Sequence, residues 1–359
     1  MLDTSRFLYV EWFITFGCNF DCAYCFYGPE NLRKNAYMFR RHGPRVARTP
    51  IEDKAFGLAR RLGIFDYADS FRNYPIEKWK EFFTYLSTFK RDIHLSFTGG
   101  EPLTVEKQAV EIINHLHDNF DRVLIRIDTN GSIVPKFAGL TREAKITFNV
   151  SYHPSQISRD KLLANLEKIR MKGAVRMINR VFQMEELRGA LDEVKYFADR
   201  GYFLNFSLED FDTSDFTEQD WALAHTLRAP QDDISVFDKT VGKSCAYPTF
   251  GFILTPNGYA YLSPCELKSV NVVANPVNVH RMLKKEPITC PSKCVCFHQR
   301  AWTDGGYDDM DIMGQYVARN VAWRGSQLAP KPFGSGATPA PMRDMAAESA
   351  AALSLTPKG

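Results

Sequence analysis

The rest of the chain is organised around one stretch near its N-terminus: Gly17-Cys18-Asn19-Phe20-Asp21-Cys22-Ala23-Tyr24-Cys25-Phe26-Tyr27. Its three cysteines follow the spacing C-x3-C-x2-C, and the next cysteine is Cys245. Structural zinc normally takes four protein ligands, and iron–sulfur clusters are usually held by four thiolates. A compact loop of three thiolates can instead hold a [4Fe–4S] cluster with one iron left open for a ligand. Three buried or zinc-binding cysteines are the alternative.

The composition is that of an ordinary globular protein. The chain has 359 residues, of which 45% are hydrophobic and 24% are charged, with a net charge of +3. A net charge this small argues against a dedicated nucleic-acid binder. No apolar run is long enough to span a bilayer, and the first residues do not read as a signal peptide. Because the eight cysteines cluster at metal-ligand spacings, we expect a reducing, cytoplasmic setting away from the membrane.

Short apolar strands alternate with amphipathic helices from about residue 7 to about residue 210, which is typical of a parallel sheet wrapped by helices. One helix, around residues 75–90, carries apolar residues on one face at helical spacing, so we expect this face in the core: Ile76, Trp79, Phe82, Phe83, Leu86 and Phe89. The helix after the fourth strand is expected to begin at Ser158 as its N-cap. Six strand–helix units predict an α/β fold, a partial (β/α)6 TIM-like barrel whose lateral mouth a second domain could cover. The predicted strands are Phe7–Phe16, Ile93–Thr98, Val123–Asp128, Ile146–Val150, Ala174–Phe182 and Tyr202–Leu208.

Glycine and polar residues fall directly after these strands. Gly99-Gly100-Glu101-Pro102 follows the second strand, Thr129-Asn130-Gly131 the third, and Ser151-Tyr152-His153-Pro154 the fourth. In parallel α/β barrels the loops after the strands converge on the face that binds ligands. We therefore expect these segments and the cysteine stretch to meet at one ligand-binding face.

The cysteine stretch, followed by a strand that ends in Gly-Gly-Glu, resembles the signature of the radical S-adenosylmethionine (SAM) superfamily. The resemblance implies that Cys18, Cys22 and Cys25 hold a [4Fe–4S] cluster whose open iron is chelated by the amino and carboxylate groups of SAM. It further implies reductive cleavage of SAM to a 5′-deoxyadenosyl radical, which abstracts hydrogen from a substrate. Tyr24 matches the family position that packs near the adenine of SAM.

The resemblance also assigns residues that contact SAM. Gly99, Gly100 and Glu101 match the motif that binds its amino group. Glycines allow the backbone to approach a ligand closely, and a carboxylate or a backbone carbonyl accepts from an ammonium. Asn130 and Ser151 match positions near the ribose or the carboxylate of SAM, and both residue types are also common in turns and caps.

Three other features carry weaker signals. Arg180 and Gln183, at the end of the fifth strand, are lesser candidates for the SAM site, and we expect His153 to be a hydrogen-bonding structural histidine. The basic run from Arg33 to Arg48 is either solvated surface or a contact for an acidic substrate or peptide.

A second cysteine group comprises Cys245, Cys265, Cys290, Cys294 and Cys296. Two alternating apolar segments flank Pro256-Asn257-Gly258, which is a hairpin signal because glycine accepts a positive φ. Together they resemble the SPASM extension, or its shorter twitch form, which binds auxiliary [4Fe–4S] clusters after many radical SAM barrels. A full SPASM domain has seven cysteines for two clusters, so the five here imply one auxiliary [4Fe–4S] cluster with four thiolate ligands. A zinc site built from the same cysteines is the alternative.

These motifs divide the chain into three parts. We expect the radical SAM barrel over residues 1–215, with an insertion at about 30–75, and the auxiliary cluster domain over residues 216–325. Residues 326–359 are rich in Pro, Ala, Gly and Ser without an apolar period, so we expect a disordered tail.

The resemblance implies an oxidoreductase or maturase, without identifying its catalytic acid or base. We expect a ribosomally synthesised peptide as substrate, changed by a cross-link, an epimerisation or an oxidation. A small molecule such as a sugar, nucleotide or aminocyclitol is the alternative substrate. Electrons would come from a flavodoxin- or ferredoxin-type donor. A non-catalytic iron–sulfur or zinc scaffold is the remaining hypothesis, and it predicts no cleavage of SAM.

Overall fold

The computed structural model describes residues 4–20, 22, 69–142, 144–182, 184–208, 216–227, 242–262, 269–290 and 311–328. Within them the chain is an α/β protein built on a large, mostly parallel sheet. Six neighbouring strands lie parallel in chain order: β1 Phe7–Thr15, β2 Asp92–Gly99, β3 Val123–Thr129, β4 Ile146–Tyr152, β5 Ala174–Phe182 and β6 Leu204–Leu208. The six predicted strands are confirmed, and their ends differ from the prediction by two residues at most.

Helices connect the strands and cover one face of the sheet. Trp79, Phe82, Phe83 and Leu86 are buried, as the helical spacing predicts. Ile76 and Phe89, predicted on the same face, are half-buried and pack against the core. The helix after β4 starts where expected, because the Ser158 side chain caps it by accepting from the N–H of Lys161. The described α-helices are α1 Ser70–Asn73, α2 Ile76–Ser87, α3 Glu106–Asn119, α4 Arg159–Arg170, α5 Ala190–Ala198, α6 Glu218–Leu227, α7 Tyr247–Phe250, α8 Asn278–Met282 and α9 Ile312–Leu328, and short 3-10 helices lie at Thr4–Arg6, Pro102–Val105 and Met184–Gly189. No helix in this part of the chain is long and apolar enough to cross a membrane.

The predicted hairpin is confirmed, but it joins the main sheet. The later strands are β7 Ser244–Cys245, β8 Gly251–Leu254, β9 Tyr259–Tyr261, β10 Val270–Asn271 and β11 Ile288–Thr289. β8 pairs antiparallel with β9 and parallel with β1, where Tyr9 lies opposite Gly251. The described residues therefore form a nine-stranded sheet in the order β10-β9-β8-β1-β2-β3-β4-β5-β6. The expectation of six strands is too low, because the hairpin extends the parallel sheet. Closure of the sheet into a partial barrel stays a prediction.

The two faces of the sheet carry different residues. Alternate residues of β1, such as Leu8 and Trp12, pack against the helices in the main core. The opposite face, here called the inner face, is filled near the N-terminal ends of the strands by an apolar plug: Phe7, Tyr9, Leu124, Met177, Phe203, Tyr247, Phe250 and Tyr316. Tyr316 comes from α9, and its hydroxyl donates to Asn205 Oδ1 at 2.7 Å. This plug leaves the C-terminal ends of the strands as the side on which ligands can approach.

Candidate functional site

The cysteine stretch follows β1 directly and is tied to the turn after β2. The N–H of Gly100 donates to the carbonyl of Thr15 at 2.7 Å, and that of Glu101 donates to the carbonyl of Gly17 at 2.8 Å. The Thr15 hydroxyl accepts from the N–H of Gly17 at 3.0 Å. The two segments that the sequence singles out therefore meet at the C-terminal ends of neighbouring strands.

The close contact between these segments requires Gly99 and Gly100. Gly99 has a φ of +115°, and a Cβ there would lie 2.2 Å from the carbonyl oxygen of Thr15. A Cβ on Gly100 would lie 2.2 Å from the carbonyl oxygen of Gly17 and 2.7 Å from the carbonyl carbon of Phe16. Gly99 therefore lets the end of β1 approach, and Gly100 does the same for the start of the cysteine stretch. The sequence argument considers a ligand as the group that approaches these glycines. Their contact with SAM stays a prediction.

The carboxylate of Glu101 joins the turn after β2 to the turn after β3. It is fully buried and accepts from the N–H of Leu103 at 3.1 Å, the N–H of Asn130 at 2.7 Å and the hydroxyl of Thr129 at 2.8 Å. Burial raises the pKa of Glu101, and these hydrogen bonds act in the opposite direction. Glu101 therefore holds two loops in place, while its predicted contact with the amino group of SAM stays a prediction.

Asn130 links the turn after β3 to the cysteine stretch. Its Nδ2 donates to Asn19 Oδ1 at 2.9 Å and to Cys18 Sγ at 3.7 Å, and its Oδ1 accepts from the N–H of Ser132 at 2.9 Å. Asn19 in turn donates to the Ser132 hydroxyl at 2.8 Å. Sequence reasoning finds Asn130 but misses Asn19 and Ser132, because the contact between them joins residues 113 positions apart and leaves no local pattern.

The two described cysteines of the stretch differ in exposure. Cys18 is exposed and Cys22 is buried. The Sγ of Cys18 accepts from the N–H of Phe20 at 3.4 Å as well as from Asn130. Hydrogen bonds to sulfur are a regular feature of iron–sulfur ligation, so these donors fit the predicted cluster. Cys25 and Tyr24 lie outside the described residues, and inside them no three His, Cys, Asp or Glu side chains surround a metal position.

Ser151 and His153 lie at the end of β4. Ser151 is half-buried on the inner face, in register with Asn179 of β5, and its contact with SAM stays a prediction. The ring of His153 meets the ring of Phe20 edge-on, with centroids 6.0 Å apart. Burial and the charge of Arg180 lower the pKa of His153 to about 4, so the ring is neutral at neutral pH. A neutral ring packed against the cysteine stretch agrees with the structural role expected for His153.

Arg180 lies on the helix side of the sheet rather than on the inner face. It forms ion pairs with Glu186 at 2.7 Å and Glu193 at 3.6 Å. With Arg159 and Tyr196 these residues line an open cleft of about 630 Å³. Arg180 is therefore directed away from Cys18 and Asn130, and Gln183 lies outside the described residues.

A polar layer lies on the inner face between the apolar plug and the cysteine stretch; it consists of Glu11, Ser96, Arg126, Asp128 and Asn149. Glu11, Ser96 and Arg126 are register neighbours on β1, β2 and β3. Arg126 donates to Asp128 Oδ2 at 3.1 Å, and Asn149 donates to Asp128 Oδ1 at 3.0 Å. Burial raises the pKa of Glu11 to about 7; the charge of Arg126 lowers it and that of Asp128 raises it. Sequence reasoning misses this layer, although charged residues inside predicted buried strands are a usable signal.

Two of the five C-terminal cysteines come together on a short ladder. β7 pairs antiparallel with β11, and Cys245 lies opposite Ile288. Cys290 continues the pairing, because its N–H donates to the carbonyl of Lys243 at 2.8 Å. Cys245 and Cys290 therefore lie diagonally across one ladder, close enough to serve one site. Cys265, Cys294 and Cys296 lie outside the described residues.

No protein family model and no curated protein matches the chain. Among solved structures, native anSMEcpe with bound AdoMet aligns with a TM-score of 0.47 and 14% identity, over 89% of this chain and 96% of that chain. The same protein with AdoMet and the Cp18Cys peptide aligns with a TM-score of 0.45 and 13% identity, over 89% and 96%. BtrN in complex with AdoMet and 2-DOIA aligns with a TM-score of 0.30 and 14% identity, over 90% and 87%. These values are too low to establish a common fold by themselves.

Proposed function

We propose that the chain is a radical SAM enzyme in which Cys18, Cys22 and Cys25 hold a [4Fe–4S] cluster and the turns after β2, β3 and β4 bind SAM. When bound, the cluster and SAM supply a 5′-deoxyadenosyl radical that abstracts hydrogen from a substrate. One observation carries the proposal: the cysteine stretch, the Gly99–Glu101 segment and Asn130 converge at one end of the sheet. Three motifs that are far apart in the sequence thus form one site.

The chain's own residues prepare this site in two ways. Phe20 N–H and Asn130 donate to the Sγ of Cys18, and such donors favour the thiolate that binds iron. The fully buried carboxylate of Glu101 fixes the turn after β2 against Thr129 and Asn130. The loops that would contact SAM are therefore held together by hydrogen bonds that need no ligand.

We propose that the C-terminal cysteines hold an auxiliary [4Fe–4S] cluster, and the closeness of Cys245 and Cys290 supports this. The ligands would be four of Cys245, Cys265, Cys290, Cys294 and Cys296. Electrons would come from a flavodoxin- or ferredoxin-type donor.

The proposed substrate is a ribosomally synthesised peptide. Support comes from the basic run between Arg33 and Arg48 and from the pairing of such cysteine extensions with peptides in the family that the chain resembles. Among the aligned structures, anSMEcpe carries a peptide and BtrN carries 2-DOIA, so a small molecule is the alternative. A short precursor gene beside the gene of this protein would favour the peptide.

The cluster assignment is tested by anaerobic reconstitution with iron and sulfide, followed by iron analysis and EPR of the dithionite-reduced protein. Two [4Fe–4S] clusters predict about eight irons per chain and an EPR signal that changes when SAM is added. A Cys18→Ala, Cys22→Ala, Cys25→Ala variant should lose about four irons and the response to SAM. The matched Cys245→Ala, Cys290→Ala variant should also lose about four irons but keep the response. The proposal would be contradicted by a wild-type protein that is fully loaded with iron and whose EPR spectrum does not change when SAM is added.

A further inference from the structure

Two buried oxygens of the polar layer can accept hydrogen bonds and receive none from the described residues. Ser96 Oγ and Asn149 Oδ1 have no hydrogen-bond partner among the described residues, although Ser96 is 0% and Asn149 5% exposed. The Nδ2 of Asn149 already donates to Asp128, which leaves its Oδ1 as the open acceptor. A buried polar atom without a partner costs about 1–3 kcal/mol, so a group that brings donors into the layer would be bound favourably.

The polar layer also has two carboxylates, those of Glu11 and Asp128, and one guanidinium, that of Arg126. Within the described part of the chain, Arg126 is the only basic side chain whose charge acts on Glu11, and it pairs with Asp128 at 3.1 Å. The other groups around Glu11 come from β1, β2 and β8: Tyr9 and His94 are in edge contact with ring centroids 4.9 Å apart, and Ile253 lies opposite Glu11. Once Glu11 is ionised, two carboxylates share one guanidinium.

The side chains of the polar layer differ in exposure, and the more exposed ones are carboxylates. Glu11 is half-buried and the Asp128 side chain is 24% exposed, whereas the Arg126 side chain is 1% exposed. A group entering from the C-terminal ends of the strands therefore meets two carboxylates that are more exposed than the guanidinium.

We propose that the polar layer binds an alkylammonium or alkylguanidinium group, held by Glu11 and Asp128 with Ser96 Oγ and Asn149 Oδ1 as further acceptors. All four positions accept hydrogen bonds, and such a cation brings only donors. The assignment of this cation to the substrate rests on the proposed function, and it specifies a substrate with an amine or guanidine near the reacting position. The binding of the cation does not depend on SAM chemistry.

The test uses the full-length, iron-loaded chain and two probes, n-butylammonium and n-propylguanidinium, with n-butanol as the neutral control, in calorimetric titrations from about pH 6 to about pH 8.5. The pKa of Glu11 is raised to about 7, so its carboxylate appears as the pH rises through that value. Affinity of the wild type for one or both cations should therefore increase with pH and level off above about pH 7.5. The probe that binds tighter identifies the amine or the guanidine.

Glu11→Gln keeps the shape of the side chain and removes its charge. It should weaken cation binding at pH 8 by about tenfold or more and abolish the pH dependence. Ser96→Ala should weaken binding several-fold and keep the pH dependence. Glu81→Gln, at a carboxylate whose side chain is 59% exposed, is the matched control and should change nothing.

Three results would overturn this proposal: cations that bind no better than n-butanol, equal affinity in Glu11→Gln, or a Glu11→Gln variant that loses affinity for SAM to the same extent. The last result would assign the layer to the SAM site. Failure of the proposed function looks different, because cation binding would persist in a protein that does not cleave SAM.

Discussion

A Gly100→Ala variant is expected to lose most of the iron of the Cys18 cluster and nearly all cleavage of SAM. The added Cβ would lie 2.2 Å from the carbonyl oxygen of Gly17, and the neighbouring atoms are backbone, which cannot rotate away. The strain would break the hydrogen bonds from Gly100 to Thr15 and from Glu101 to Gly17. We expect the free energy of unfolding to fall by about 3 kcal/mol, in the upper range for overpacking. Urea unfolding and iron analysis measure the two effects.

The matched control is Gly325→Ala in α9. A Cβ on Gly325 would meet none of the described residues within 4 Å, and alanine is the better helix former. This variant should therefore keep the wild-type iron content and stability or gain slightly. A Gly100→Ala variant that binds iron and cleaves SAM like the wild type would show that the cysteine stretch is not held by the turn after β2.

Replacing Glu101 by alanine is expected to reduce the free energy of unfolding by about 3–5 kcal/mol, because it leaves three buried hydrogen-bond donors without an acceptor. These donors are the N–H groups of Leu103 and Asn130 and the hydroxyl of Thr129. Glu101→Gln should cost less, since one amide oxygen still accepts while its NH₂ group faces donors. Chemical denaturation should give a free energy of unfolding that falls from the wild type to Glu101→Gln and further to Glu101→Ala.

Glu81→Ala serves as the control for Glu101→Ala, because the Glu81 side chain is 59% exposed and pairs with Lys78 on the neighbouring turn. An exposed ion pair of this kind contributes about 0.5 kcal/mol to the free energy of unfolding. If Glu101→Ala were as stable as Glu81→Ala, the carboxylate would not hold the loops together, and a primary role in binding SAM would gain weight.

Local patterns predicted most of the sheet, and long-range pairing was the part they missed. The six parallel strands follow from apolar runs bounded by turns, and Ser158 was recognisable as a helix cap. The parallel pairing of β8 with β1 joins residues 9–12 to residues 251–254 and has no signature in either segment alone. The sequence therefore showed the hairpin but not the sheet edge to which it adds.

In the candidate site, too, the sequence predicted the positions of residues but not their contacts. The positions of Cys18, Gly99, Gly100 and Asn130 after their strands were readable from the sequence, and the structure brings them together. Their partners could not be predicted: the two glycines face backbone at the end of β1 and at the start of the cysteine stretch, and the Glu101 carboxylate accepts from three donors. Residue type and strand position indicate where a side chain lies, but only tertiary packing decides which group it meets.

Formation of 5′-deoxyadenosine is the measurement that tests the central claim most directly. The full-length protein is reconstituted anaerobically, reduced with dithionite and incubated with SAM, beside the Cys18→Ala, Cys22→Ala, Cys25→Ala variant. We predict 5′-deoxyadenosine and methionine from the wild type and neither above background from the variant. If the fully iron-loaded wild type forms no 5′-deoxyadenosine, the radical SAM proposal is contradicted and a non-catalytic iron–sulfur scaffold becomes the better account.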